Sequence, residues 1–356
     1  MELRTSSKLS TEDNPVSNGL VKQPVVGAVG ASEDRSANEY LDVSEPGRVF
    51  QGDASELIWE LPAESVHLSV WSPPYHVGKR YEEDQTYTEW ETLLGKVIKG
   101  HMHSLVAGGF CVVNIADILC FADPLMPKIQ AETLSERRLK VTREDVLAAA
   151  AALNSSDRRK IGEYLGVSEQ TVDRRMKGNN IRGGKYATQT RVKVVAGLIE
   201  QLATDAGLYL YDRRVWVKDP AWANSRWHSS SLRSIDEFEY LFVLWKPGVT
   251  QVNRHRLSPM EWREWGSRGV WNFPSVRSND DHEAKFPIEL PRRVIKLFSD
   301  VGQVVLDPFV GSGTTLAAAV EESRIGIGFE LSRDYAKLSE ARLNNAIADR
   351  GSKLFD

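Results

Sequence analysis

The sequence predicts an α/β protein: a mostly parallel sheet with helices on both faces, interrupted by an inserted helical module. Three observations carry this. Apolar runs of strand length (66–70, 110–115, 239–245, 304–306 and 326–330) recur between segments with apolar residues at helical spacing. The unit at 87–115 reads as a helix, then Gly108-Gly109, then a strand, the form of one crossover of a doubly wound sheet. Residues 142–177 instead give three short helical stretches in a row, which breaks the strand–helix alternation.

Taken in order, residues 1–45 are rich in Ser, Asn, Glu, Asp and Gly without an apolar period. They read as a mostly disordered tail. Residues 48–50 start a short strand ending in Gln51-Gly52-Asp53, and 54–61 read as a helix. Asp53 is therefore either a carboxylate presented at a strand end or the N-cap of that helix. The strand 66–70 and the stretch Trp71-Ser72-Pro73-Pro74-Tyr75 follow, then a polar loop and the helix 87–106 with Trp90, Leu94, Val97 and Ile98 on its apolar side. His101 and His103 lie near the end of that helix; without a third ligand they read as surface or capping residues.

Residues 192–206 are predicted helical, and 209–211, 214–217 and 239–245 as strands, two of them forming an antiparallel hairpin at a sheet edge. Trp262, Trp265 and Trp271, interleaved with Arg263 and Arg268, make an aromatic cluster for which core packing and a stacking surface are both open. A helix over 292–299 follows Pro291. The strand 304–306 then turns through Asp307-Pro308-Phe309-Val310-Gly311-Ser312-Gly313-Thr314-Thr315 into a helix over 314–322. A strand over 326–330 ends in Glu330, and 335–348 is a closing helix.

Two of these stretches carry chemistry. Consecutive prolines at 73 and 74 forbid helix and remove two backbone donors. A hydroxyl, rigid carbonyls and an aromatic ring are thus presented together at a strand's carboxyl end, where open α/β sheets bind ligands. Such a set suits a planar group bearing an exocyclic amine: the ring stacks and the oxygens accept the amine hydrogens. Downstream, the glycines at 311 and 313 let a ligand approach the backbone, and N–H groups at the helix start favour an anion. Glu330 stands where a carboxylate meets ribose hydroxyls in such folds. By layout alone a nicotinamide dinucleotide would also suit this segment.

Together, Ser72-Pro73-Pro74-Tyr75 and the Asp-Pro-Phe-x-Gly-Ser-Gly-Thr-Thr run resemble the amino-methyltransferases that act on DNA bases. The catalytic tetrapeptide comes first and the cofactor loop last, the order of that family's β group. The resemblance covers roughly 48–120 and 195–345. It implies a Rossmann-like sheet, S-adenosylmethionine as cofactor, and double-stranded DNA with one flipped base as partner. It also implies a cognate restriction endonuclease as functional counterpart. Ser72, Pro73, Pro74 and Tyr75 are then the catalytic set. Asp53, Asp307, Pro308, Phe309, Gly311, Ser312, Gly313, Thr314, Thr315 and Glu330 hold the cofactor, with Phe286-Pro287 entering beside its methionine part. Serine at the first motif position leans towards cytosine N4, aspartate towards adenine N6. The resemblance divides the chain into a catalytic part (46–120), a target-recognition insert (121–194) and the remainder with the cofactor loop (195–350).

Within the insert, the run from Ile161 to Met176 resembles a helix-turn-helix, with Gly166 at the turn and Leu165, Val167 and Val172 spaced to lock the two helices. Ser168, Gln170, Thr171, Arg174, Arg175, Lys177, Arg182 and Lys185 are its candidate DNA contacts. From 133 to 194 there are fourteen Lys or Arg against seven Asp or Glu, so a basic face exists despite a whole-chain charge of −4. A DNA-binding regulator is the alternative of another class. The two cysteines, Cys111 and Cys120, have no metal-type spacing, no apolar run is long enough to cross a bilayer, and no signal-peptide layout opens the chain. The expectation is a cytoplasmic enzyme that needs no metal.

Overall fold

The computed structural model describes residues 40–44, 47–74, 86–123, 125–126, 141–176, 190–220, 234–276 and 286–353. Tyr75, Lys177, Arg182, Lys185 and most of the tail predicted over 1–45 lie outside these residues.

Among the described residues eight strands make one sheet: β1 (Gly47–Gln51), β2 (Val66–Trp71), β3 (Leu105–Ile115), β6 (Tyr209–Val217), β7 (Phe238–Trp245), β8 (Val270–Asn272), β9 (Val304–Asp307) and β10 (Ile325–Glu330). Their spatial order is β1-β10-β9-β2-β3-β7-β6-β8. The first five run parallel. Strand β7 is antiparallel to both β3 and β6, as the predicted hairpin requires, and β8 adds a parallel edge to β6.

The central strands are apolar on both faces, as a sheet covered on both sides demands. Cys111, Val113 and Ile115 of β3, with Phe242 and Leu244 of β7, pack one way. Their neighbours there are α1 (Ala54–Leu57), α2 (Tyr87–Ser104) and α6 (Ala196–Ala206). Phe110 and Val112, with Leu241 and Val243, pack the other way, against α8 (Glu289–Phe298) and α9 (Thr314–Glu321). The closing helix α10 (Arg333–Lys353) lies on α9 through Leu343 and Ala346. No helix among the described residues is long and apolar enough to cross a membrane.

Several boundaries differ from the expectation. Helix α2 ends at Ser104, and Gly108 and Gly109 lie inside β3 instead of stopping the helix. The two short strands expected over 209–217 are one strand with a bulge between Leu210 and Asp212. The helix expected from 54 to 61 is a single turn. Trp265 and Trp271 are core residues, stacked edge to face at 6.2 Å, whereas Trp262, beyond the one-turn α7 (Pro259–Glu261), is 55% exposed.

The insert leaves and rejoins the main sheet through a two-stranded antiparallel ribbon, β4 (Ile118–Ala122) and β5 (Thr190–Lys193). Phe121 of the ribbon meets Tyr87 of α2 edge-on at 5.0 Å, and Lys193 Nζ lies 4.7 Å above the Tyr87 ring. Between the two strands, α3 (Arg143–Ala152), α4 (Arg158–Leu165) and α5 (Glu169–Met176) close over a small core of Val146, Ala149, Ile161 and Val172. Asp157 caps α4, Gly166 ends it at φ +65°, and the Thr171 amide donates to the Ser168 hydroxyl at the start of α5. The tight turn between α4 and α5 exists because glycine takes the left-handed backbone that a side chain would resist.

Candidate active site

Strands β9 and β2 are neighbours, yet the chain departs from them in opposite directions across the sheet. Loops diverge at such a point, and a crevice opens at the carboxyl ends of the strands. Ser72-Pro73-Pro74 leaves β2 there, and the loop after Asp307 leaves β9. Both line one cavity of about 920 Å³. Two stretches far apart in the chain therefore share one site. Asp53, Phe286, Pro308, Phe309, Gly311, Ser312, Thr314 and Glu330 line it too. Pro287, Gly313 and Thr315 are not among its walls. The Pro287 carbonyl accepts the Leu290 amide at the head of α8, Thr315 is wholly buried in α9, and Gly313 packs against Ser339.

At the β9 end, the side chain of Asp307 is buried and accepts the Phe309 amide at 3.0 Å. Burial, helped by the charge of Glu330, pushes its carboxyl up to about 7. Glu330 takes the Gly311 amide on one oxygen (3.0 Å) and the Ser332 amide on the other (2.9 Å). Burial raises its pKa as well. The Val310 amide donates to the Phe329 carbonyl, and the Gly313 amide to the Val310 carbonyl. The N–H groups of 309, 310, 311 and 313 are thus used within the protein, ahead of the first turn of α9, which begins at Thr314. The amides of the first turn of α9 have no partner within the helix, so the loop combines close approach with donors at the helix start. Arg342 of α10 braces it, Nη1 donating to Thr314 Oγ1 at 3.1 Å and to Ser312 Oγ at 3.3 Å.

Asp53 fills both of its expected places. Its carboxylate accepts the Ser55 amide at 2.8 Å as N-cap of α1, and it lines the cavity. Gln51 and Glu330 are partners in the β1–β10 register, so the two carboxylates stand at the ends of adjacent strands. Two separated carboxylates and the apolar Phe309 and Phe286 suit a nucleoside with hydroxyls and an amine.

At the β2 end, Trp71 is fully buried and anchors the motif. Its Nε1 donates to Cys111 Sγ at 3.2 Å, and its ring stacks on His101 and tilts against Phe309 at 5.4 Å. His101 is thus a core residue, contrary to the surface reading. Its Nδ1 donates to the Val97 carbonyl, and burial holds the imidazole down to about 4. Burial pushes the Cys111 thiol up to about 12, so it is no nucleophile. Trp90 Nε1 donates to the Pro74 carbonyl at 2.6 Å, which aims that oxygen at α2. Ser72 Oγ accepts from Asn114 Nδ2 at 2.9 Å.

Thr88, Thr92 and Lys96 of α2 also line the cavity and were not anticipated. They recur every four residues, opposite the apolar stripe of Trp90, Leu94 and Val97, so the signal was present as a polar face. In the insert, Gln170 is exposed on α5, and Arg175 is half-buried. Its Nε donates to the Val141 carbonyl at 2.8 Å, holding α5 to the segment before α3.

The buried carboxyl of Asp307 has a consequence for stability. The folded state holds this proton more tightly than the unfolded chain, in which a carboxyl titrates near 4. Its contribution is therefore lost as pH rises from about 4 through about 7. Asp307→Asn, which can still accept the Phe309 amide, is expected to flatten that part of the Tm-against-pH curve, read by thermal melts from pH 4 to 8.

Residues 66–341 match the DNA methylase family N6_N4_Mtase. The Bacillus subtilis type II methyltransferase M.BglI is 53% identical over 303 residues, which are 85% of this chain and 87% of that protein. The Thermus thermophilus protein TTHA0409, solved with S-adenosyl-L-methionine, superposes with a TM-score of 0.55 at 25% identity, covering 85% of this chain and 94% of its own. The cytosine-N4-specific PvuII DNA methyltransferase superposes with the same score at 17% identity, covering 87% and 93%, and bears on the fold.

Proposed function

This chain belongs to the N6/N4 family of DNA methylases, and from that premise we propose that it methylates the exocyclic N4 of cytosine in double-stranded DNA. It is an S-adenosylmethionine-dependent DNA methyltransferase of the type II kind. Its modification would guard DNA against a cognate restriction endonuclease. The observation that carries the reading is the single cavity shared by Ser72-Pro73-Pro74 and the loop after Asp307.

When bound, the cofactor supplies an electrophilic methyl group on a cationic sulfur. Glu330 would hold the ribose hydroxyls, Asp53 the adenine amine, and Phe309 and Phe286 the apolar walls. The target base leaves the stack at a cost of a few kcal/mol. Stacking on Tyr75 returns about 1–3 kcal/mol. The Ser72 hydroxyl and the Pro73 carbonyl accept the two amine hydrogens; the Pro74 carbonyl is already taken by Trp90. Drawing those hydrogens aside turns the nitrogen lone pair out of conjugation and towards the methyl. Positioning then carries the rate. Serine in place of aspartate at 72 supports cytosine over adenine. Digestion of DNA labelled with tritiated cofactor is expected to give N4-methylcytosine; label only in N6-methyladenine overturns that assignment.

The insert is the proposed reader of sequence, with Thr171, Arg174 and the exposed Gln170 in α5 and Ser168 just before it. Arg175 also ties α5 to the segment before α3. Methylation-sensitive sequencing of DNA from expressing cells gives the site. Gln170→Ala is then expected to cut discrimination between cognate and single-mismatch duplexes by about 1–3 kcal/mol, measured by competition binding at fixed salt. Unchanged discrimination removes Gln170 from the reading surface.

A further inference from the structure

We propose that Asn114 and Glu239 are positioning residues that set the Ser72 hydroxyl and place negative charge behind it during methyl transfer. The proposal deepens the methyl-transfer reading above and rests on it.

Trp71 and Val113 are partners in the parallel β2–β3 register, so Ser72 and Asn114 are the next residues at the same end of the sheet. Asn114 is 1% exposed. Its Nδ2 donates to Ser72 Oγ at 2.9 Å and to Glu239 Oε2 at 2.5 Å. Glu239, 7% exposed, lies near the start of β7, which runs antiparallel and so begins at that same end. Its other oxygen accepts from Lys218 Nζ at 2.6 Å, and Lys218 also donates to Asp236 at 3.0 Å. A continuous hydrogen-bonded line thus runs from the cavity wall across three neighbouring strands.

Its sense is fixed by chemistry. Only the amide nitrogen can meet the Glu239 carboxylate, so both Nδ2 hydrogens are committed and Ser72 receives one of them. Asn114 Oδ1 is left without a partner among the described residues. Because Asn114 donates to it, the Ser72 hydroxyl cannot turn its own proton that way. One lone pair is taken, and the other faces the cavity together with the O–H.

The order of charges along the line also matters. The Glu239 carboxylate stands one amide away from Ser72, and the Lys218 ammonium lies beyond it, on the far carboxylate oxygen. The negative end of that pair is therefore the one nearer the reacting nitrogen. In the transfer, the bond from nitrogen to methyl carbon forms as the bond from carbon to sulfur breaks, sulfur keeping the electron pair. The nitrogen becomes cationic and then releases one proton to water. A fixed negative group on the far side of Ser72 favours that cationic nitrogen over the neutral amine.

Glu239→Gln keeps the shape and removes the charge. With the full-length protein, tritiated S-adenosylmethionine and duplex DNA, its single-turnover rate is expected to fall about tenfold or more, with cofactor Kd and DNA Kd within about twofold of wild type. Glu239→Asp should recover part of the rate. If Glu239→Gln does not fold, Asn114→Ala carries the same expectation of a slow step with intact binding. A folded Glu239→Gln at the wild-type rate, a loss that appears only as weaker binding, or Glu239→Asp no faster than Glu239→Gln overturns the proposal. Wild-type protein that labels no DNA overturns instead the methyl-transfer reading beneath it.

Discussion

Ser72→Ala is expected to slow single-turnover methyl transfer by about 10²-fold or more, while cofactor affinity measured by titration calorimetry stays as in wild type. The change removes an acceptor for the target amine and leaves one Asn114 Nδ2 hydrogen without its partner. It does not touch what holds the segment in place. Trp71 remains anchored to Cys111, His101 and Phe309, and Pro74 remains tied to Trp90. Loss of rate with intact cofactor binding would therefore report chemistry. Retained rate would remove the hydroxyl from the mechanism, and joint loss of binding would make it a structural residue. A protein working purely as a regulator would bind DNA unchanged and have no transfer to lose.

Gly313→Ala is expected to act on the other half of the site. Gly313 has φ +82°, and a Cβ there would fall 3.0 Å from Ser339 Cα and 3.1 Å from its carbonyl oxygen. A side chain in that backbone region costs about 1–3 kcal/mol, and the contact is with backbone, which cannot swing aside. The loop and α10 must separate, although Arg342 bridges them. We expect a Tm lower by a few degrees and a cofactor Kd raised about tenfold, or about 1.4 kcal/mol. Melting curves and calorimetry on the same preparation check both. Unchanged affinity would show that the loop tolerates displacement.

Most of the sheet was legible because its strands are apolar on both faces, and the alternation of Cys111, Val113 and Ile115 with Phe110 and Val112 marks a strand whatever its neighbours. The junction of α2 with β3 was misread because glycine is a helix stop in general, whereas Gly108 and Gly109 sit in a strand. The short strands β4, β5 and β8 carry too few residues for a period and are defined by their partners. In the site, residues within contiguous motifs could be read. Those contributed by distant strands could not: nothing local in Asn114 or Glu239 announces that they meet Ser72. The same holds for the loop amides, whose partners, Glu330 and the Phe329 carbonyl, are fixed by sheet order. His101 was misplaced because a polar residue near a helix end usually meets solvent, and here α2 lies against β2.

The ribbon formed by Ile118–Ala122 and Thr190–Lys193 brings both ends of the insert to one place. Two adjacent antiparallel strands can carry a chain excursion between them without moving the sheet they branch from. A change of length between these two strands would therefore leave the eight-stranded sheet and its crevice as they are.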